Sequence, residues 1–301
     1  NGSRAPESGS PGKASGWNPW QSWIVWMKKQ GRSYFAMMSD RKVLFFDVDG
    51  TLVSESKNEI PESSKKALTK AMEKGHLVFV NSGRPRCELK FLEEGVPADG
   101  FLCGCGTEIV VHGERRFHRS IPVERGREIR QLILDCGMDA WLEGSDRVCF
   151  RKDISGVSSR IAQVKANMQR KYGDLMASWE DPDCVFDKFC AVSNGDSDLE
   201  RFFAGLPDMD IMDRGDGMYE CVPSDCTKAT AMDWVLKEYG LPLESAYVFG
   251  DSTNDISMFA FAPNRIAMGV HAPELEKFHP LITKTVEEGG VAWAMEQLGI
   301  I

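Results

Sequence analysis

No uninterrupted apolar run in the 301 residues approaches the roughly 18 needed to cross a bilayer, which excludes a membrane-spanning helix. The nine cysteines, at positions 87, 103, 105, 136, 149, 184, 190, 221 and 226, contain no Cys-x-x-Cys pair, so a structural zinc site is not expected. They are odd in number and mostly sit inside apolar stretches, the pattern of free thiols acting as small hydrophobes in a reducing cytosol. Basic residues are also short: 36 against 45 acidic ones leave a net charge of −9. General affinity for nucleic acid, which is mostly phosphate neutralisation by Lys and Arg, is therefore excluded, although a local site can still be positive. The first residues lack the apolar core and small-residue cleavage site of a secretory signal.

What is present is a soluble globular composition, 42% hydrophobic and 27% charged, in a chain long enough for two domains. Residues 1–16 are rich in Gly, Ser and Pro, and Trp17, Trp20, Trp23 and Trp26 then fall three apart. That stripe suits one face of a short helix for a partner or membrane surface. The preferred expectation for residues 1–40 is a disordered leader, upstream-translated ahead of a start at Met37 or Met38.

The stretch Val43-Leu44-Phe45-Phe46-Asp47-Val48-Asp49-Gly50-Thr51-Leu52 organises the rest of the chain. An apolar run suited to a strand buried on both faces breaks into two carboxylates at i and i+2, which point to one side. Crowded there, the two charges repel and call for a compensating cation or a shared proton; a hard divalent ion with oxygen ligands, Mg²⁺ for preference, fits. A plain polar turn with Asp and Gly as turn formers is the competing explanation.

Strand and helix patterns alternate from Arg41 onward, the signature of a parallel sheet covered by helices. Strands are expected at 43–48, 76–80, 101–106 and 246–250, with short ones at 266–269 and 282–285. Residues 76–80 run into Asn81-Ser82-Gly83-Arg84-Pro85, where a hydroxyl and free amides ahead of a helix can hold an anion. Around Ser120 the pattern changes: helices at 122–136, 157–172 and 197–205 and strands at 139–151 and 185–193 point to an inserted second domain with an antiparallel sheet exposed on one face. Residues 219–223 then return as a short strand of the first domain, and Ser224 or Asp225 caps a helix reaching Tyr239. Lys228 sits in its first turn, where a cation is unfavourable unless an anion is near. The strand at 246–250 ends in Asp251-Ser252-Thr253-Asn254-Asp255, and in open α/β sheets such strand ends are where ligands bind.

Taken in order, Asp47-Val48-Asp49-Gly50-Thr51, Ser82, Lys228 and Gly250-Asp251-Ser252-Thr253-Asn254-Asp255 resemble the four motifs of the haloacid dehalogenase-like phosphohydrolases. Met268-Gly269, Ala272-Pro273-Glu274, Thr283-Lys284 and Glu288-Gly289-Gly290-Val291-Ala292 resemble the tail of the Cof-type branch. The resemblance covers about 41–120 and 216–301. It implies an α/β fold, a Rossmann-like parallel-sheet core (41–120 plus 215–301) with an inserted α+β cap domain (121–214) that sets specificity. The stretch 50–81 is too short for a cap and 83–227 is long enough, which places the insertion at the later point.

The resemblance further implies a Mg²⁺-dependent phosphatase. Asp47 would attack phosphorus to form an aspartyl-phosphate, and Asp49 would protonate the leaving alkoxide and then deprotonate water. Mg²⁺ would be held by Asp47, the Asp49 backbone carbonyl and Asp251, with Asp255 bracing them from behind. Gly50, Thr51, Ser82, Gly83, Lys228 and Asn254 would bind the phosphoryl oxygens. The implied partner is a small phosphorylated metabolite, a sugar phosphate for preference, handled in the cytoplasm by a monomer or homodimer without nucleic acid or membrane. Two departures stand out: Cys105-Gly106-Thr107 replaces an Asn-Gly-Ala-like turn, which raises the question whether Cys105 faces the site, and Asp225-Cys226-Thr227 with Ala229 replaces a Gly-containing turn. A phosphosugar mutase of the same branch and a non-catalytic binding protein are the alternatives. The mutase lacks support in 251–259, which shows no long glycine-rich metal loop, and the binding protein is at odds with the presence of both Asp47 and Asp49.

Overall fold

Val43–Phe46 form strand β1 without an exposed side chain, as their unbroken apolar run requires. The computed structural model describes residues 40–54, 56–57, 59–152, 159–181 and 184–301, so the expected leader and its tryptophan stripe lie outside the described residues. After β1 come α1 (Glu62–Glu73), β2 (Leu77–Asn81), α2 (Arg86–Glu93), β3 (Gly100–Cys103) and the hairpin of β4 (Glu108–Val111) and β5 (Glu114–His118). The middle of the chain holds α3 (Val123–Asp135), β6 (Asp139–Glu143), β7 (Val148–Phe150), α4 (Ser159–Tyr172), β8 (Met176–Ser178), β9 (Lys188–Val192), α5 (Leu199–Ala204), β10 (Met209–Asp213) and β11 (Met218–Pro223). The last part is α6 (Lys228–Tyr239), β12 (Ala246–Gly250), α7 (Ile256–Phe261), β13 (Asn264–Ala267), β14 (Leu281–Ile282) and α8 (Gly290–Gln297).

Eight strands form one sheet in the order β14-β13-β12-β1-β2-β3-β4-β5. Pairing is parallel from β14 to β3, and the β4–β5 hairpin adds two antiparallel strands at one edge. Leu44, Phe46, Val78 and Val80 project to one face against Ala67, Leu68 and Ala71 of α1 and Val291, Ala294 and Met295 of α8. Phe45 and Phe79 project to the other, where Tyr239 of α6 meets Phe79 edge-on. With helices on both faces, the strands carry apolar residues at every position rather than at every second one. Asp47, Ser82 and Asp251 each follow directly on a strand of this sheet, at its carboxyl end.

The second sheet runs β10-β11-β9-β6-β7-β8, antiparallel except for the β7–β8 pair. The stretch 219–223, expected to rejoin the first sheet, belongs here instead: β11 pairs with β9 on one side and β10 on the other. Its hydrophobic-then-polar ending resembles the parallel strands, but its neighbours are those of the inserted segment. The expectation of a solvent-exposed face on this sheet is also corrected. Ala140, Leu142, Phe189, Ala191 and Cys221 pack on Ile129 and Ile133 of α3 and Phe202 of α5. The opposite face is covered as well, with Trp141, Cys190 and Val192 packing with Ile161 of α4 and with Cys87 of α2. Its polar residues, Glu143, Lys188 and Glu220, are buried. Alternation reported two chemically different faces, and in the central strands β6, β7 and β9 both are inside.

Phe46 is fully buried and stacks on Phe249 of β12 with ring centroids 4.4 Å apart. Phe46→Ala is expected to destabilise the fold by about 3–5 kcal/mol, read as a lower urea midpoint at unchanged slope.

Candidate active site

The strand β1 ladder continues one residue further: the Asp47 amide donates to the Phe249 carbonyl at 3.0 Å, which holds Asp47 rigidly between β12 and β2. Its carboxylate is only 3% exposed. Gly50 comes three residues later with φ +78°, in the left-handed region, and a Cβ there would lie 2.5 Å from Asp251 Oδ2. Both facts demand glycine, because no side chain fits between the turn after β1 and the carboxylate after β12. The Thr51 hydroxyl donates to Asp251 Oδ1 at 2.9 Å and fixes that carboxylate's orientation.

Lys228 is the first residue of α6, whose cap is Thr227, with Thr227 and Thr230 bonding reciprocally across the first turn. The cap expected at Ser224 or Asp225 therefore lies two or three residues later, since 224–226 still form the turn out of β11. The Lys228 side chain is 1% exposed, and its Nζ donates to Asp47 Oδ1 and Asp255 Oδ1, each at 2.6 Å, and to Asn254 Oδ1 at 3.2 Å. Asn81 Nδ2 donates to the Lys228 carbonyl at 3.0 Å and locks the start of the helix to the end of β2. Asp255, wholly buried, also accepts from the Asp251 and Ser252 amides at 2.9 and 3.1 Å. A Cβ at Gly250 would stand 2.5 Å from Asp255 Oδ2, so this turn too closes only over glycine.

The electrostatics arise from that packing. Burial pushes the Asp47 carboxyl up to about 8, helped by the Asp255 and Asp251 charges and opposed by Lys228. Lys228 is held well above its ordinary range against the cost of burial, by Asp255 and then Asp47. Oxygens of Asp47, Asp251 and Asp255 lie within 4.8 Å of one another. Three carboxylates share one ammonium, a deficit of positive charge that a hard divalent cation with oxygen ligands fits. Asp255 already has both oxygens engaged, consistent with a bracing position behind Asp47 and Asp251. The Asp49 carboxylate stays out of this cluster.

Asp49 instead meets Arg84: Nε donates to Oδ2 at 2.8 Å and Nη2 to Oδ1 at 2.5 Å. Arg84 is held in turn by the Tyr172 hydroxyl at 3.0 Å, at the end of α4. The sequence had shown Arg84 only as part of a Ser-Gly-Arg-Pro turn; an arginine directly after the anion-holding Ser82-Gly83 turn was the available signal. Asp47, Asp49, Ser82, Gly83, Asp251 and Asn254 line one cavity of about 270 Å³, with Lys228 and Asp255 beneath its floor. Thr51 and Gly50 are not brought there: Thr51 is buried against Asp251, and Gly50 lines a separate hollow with Val270 and Glu287. The cavity roof comes from the second sheet, with Trp141, Glu143, Lys188 and Glu220 among its residues, none singled out from the sequence. Cys105 does not line the cavity; it is buried with Val222 and Cys226, and burial, then the Glu220 charge, push its thiol up to about 12.

A buried strand-end carboxylate bonded to a lysine, beside further aspartates at the carboxyl end of a parallel sheet, makes an acidic centre that could hold a cation. The profile of the haloacid dehalogenase-like hydrolases matches residues 44–295, and the chain belongs to that family, in its Cof-type branch. As a member it is a phosphatase, a phosphoric monoester hydrolase. It is 27% identical over 266 residues to YkrA of Bacillus subtilis (strain 168), spanning 87% of this chain and 99% of that protein. It is 25% identical over 288 residues to the 5-amino-6-(5-phospho-D-ribitylamino)uracil phosphatase YwtE of the same organism, spanning 85% of this chain and 98% of that one. Among solved structures, the subclass IIB sugar phosphatase BT4131 superposes with a TM-score of 0.70 at 24% identity, covering 86% of this chain and all of that one.

A carboxyl whose value is raised in the folded state binds a proton that the unfolded chain releases, so its contribution favours folding at low pH and is lost as pH rises toward about 8. A cation competing for Asp47 should therefore stabilise the protein more at pH 8 than at pH 6. Thermal melting with Mg²⁺ and with chelator at the two pH values reads this: a larger rise in Tm at the higher pH is expected.

Proposed function

We propose that this phosphatase hydrolyses small phosphorylated metabolites, sugar or polyol phosphates foremost, with Mg²⁺ and through an aspartyl-phosphate on Asp47. The observation that carries it is the buried Asp47 carboxylate, oriented through Oδ1 by Lys228 and standing at the floor of a cavity whose rim carries Asp49. An Asp47 oxygen attacks phosphorus as the ester P–O bond breaks, and Asp49 delivers its proton to the departing alkoxide. Asp49 then takes a proton from water as that water attacks phosphorus, and inorganic phosphate and free Asp47 result. Arg84, forked on Asp49, holds that carboxylate until substrate displaces or reorients the pair. Ser82, Gly83, Lys228 and Asn254 bind the phosphoryl oxygens, where fixed donors meet charge spread over three atoms.

Asp47, Asp251 and the Asp49 carbonyl would hold Mg²⁺, braced by Asp255. Bound there, the ion offsets the repulsion between the attacking carboxylate and the phosphate dianion. Thr51 and Gly50 act in this reading by shaping and orienting Asp251 rather than by touching phosphate. The segment 121–214, extended through β11 to Pro223, supplies the roof and with it the substrate preference. Support for polyhydroxyl leaving groups comes from the relatives: BT4131 is described as a sugar phosphatase, and the YwtE substrate carries its phosphate on a ribityl chain. All nine cysteines are buried and free, which suits a cytoplasmic, reducing setting.

Asp47→Asn should lower Mg²⁺-dependent release of inorganic phosphate from an aryl phosphate by more than about a thousandfold with the circular dichroism spectrum unchanged. Wild-type turnover in that variant contradicts the nucleophile. Phosphoryl retention on a sugar phosphate with no free phosphate supports the mutase instead.

A further inference from the structure

Glu88 takes no part in the proposed chemistry, yet it lines the same cavity as Asp47 and Asp49. It stands in the first turn of α2, where the helix dipole favours an acid. That accounts for its sign and not for its place, because the residue is only 6% exposed. Among the described residues its carboxyl has no hydrogen-bond donor or cation within bonding distance. Buried carboxylates ordinarily have such partners, and one that lacks them and faces a cavity is an acceptor awaiting a donor. Burial, and then the Glu143 charge, push it up to about 7, against the pull of Arg84, Lys188 and Lys171.

The second sheet faces it with a closed set of charges. Lys188 Nζ lies 2.6 Å from Glu143 Oε2 and 2.7 Å from Glu220 Oε1, and Arg214 Nε donates to Glu220 Oε2 at 2.8 Å. Lys188 and Arg214 hold Glu220 down at about 2 in spite of its burial. Arg84 is already matched by Asp49. Lys188, Arg214 and Arg84 are thus bonded to other carboxylates, and Lys171 of α4 acts on Glu88 only from beyond bonding distance, so Glu88 is a carboxyl of this cavity without a bonded cation. Trp141 spends its Nε1 donor on Glu143 Oε1 at 2.6 Å, which leaves its ring as an apolar wall. The cavity, about 270 Å³, lies just below the roughly 300–1,000 Å³ usual for ligand pockets, a size that suits a sugar or polyol.

We propose that Glu88 is the specificity-determining residue of a leaving-group subsite that accepts phosphate monoesters whose alcohol portion offers it a hydroxyl or ammonium donor and carries no second anionic group. The proposal rests on the phosphatase reading and narrows its substrate class. A second phosphate or a carboxylate on the leaving group would meet an uncompensated carboxyl under a roof whose cations are already engaged, and is rejected.

The test measures kcat/KM, with Mg²⁺, for an aldose or polyol monophosphate, a hexose bisphosphate and an aryl phosphate, in wild type, Glu88→Gln and Glu88→Lys. The wild type is expected to favour the monophosphate over the bisphosphate by about tenfold or more. In Glu88→Gln, an isosteric change, the ratio of monophosphate to aryl phosphate should fall about tenfold, mainly through KM, the scale of a lost hydrogen bond to a charged group. Glu88→Lys should narrow or reverse the discrimination against the bisphosphate. A ratio unmoved in Glu88→Gln, or a wild type that favours the bisphosphate, overturns the role of Glu88 while aryl phosphate turnover still stands. Absence of turnover on all three substrates overturns the phosphatase reading beneath it.

Discussion

One buried ammonium holds this site together. Lys228 spans Asp47 and Asp255, two carboxylates that reach it from the ends of different strands and that could not otherwise be buried side by side. Removing one member of such a group leaves an uncompensated charge in a medium that solvates it poorly, at a cost of about 3–5 kcal/mol. The surrounding backbone serves this arrangement. Glycine at 50 and 250 lets two carboxylates approach main chain to distances no Cβ tolerates, and Asn81 pins the helix start that carries the lysine. The lysine leaves the cluster short of positive charge, a shortage that a divalent cation could fill.

The second constraint is the closing of one sheet over the ends of another. The central strands of the inserted sheet bury both faces, one on its own helices and one over the cavity, so Glu143, Lys188 and Glu220 are held dry and paired. Arg84 and Tyr172 tie the two parts at the reaction centre, because the arginine that forks Asp49 is itself held from α4. The cavity is lined from below by the carboxyl ends of the parallel strands and by α2, and from above by the second sheet. Aligning the two is a matter of a few hydrogen bonds.

Much of this was legible in the chain itself. Continuous apolar runs at 43–46, 77–80 and 246–249 read as strands buried on both faces, and the carboxylates after the first and third and the Ser82 hydroxyl after the second could be named from the residues alone, because strand ends in parallel sheets collect at one edge. The hydrogen-bond partners were not legible. Thr51 looks like a phosphate donor until its hydroxyl is seen on Asp251, and Arg84 looks like a turn residue until it is seen on Asp49. The placement of 219–223 failed for a related reason: local composition records burial and not which neighbour does the burying. Glu88, Glu143, Lys188 and Glu220 are scattered in sequence, and only the packing of α2 under the second sheet brings them to one cavity.

Covalent participation of Asp47 is the central claim, and trapping addresses it most directly. Protein quenched in acid during steady-state turnover and reduced with borohydride should carry homoserine in place of Asp47, the product of reducing an aspartyl-phosphate, and a chelated control should not. Turnover at full rate with Asp47 unmodified, or the phosphoryl group recovered on another residue, would contradict the account.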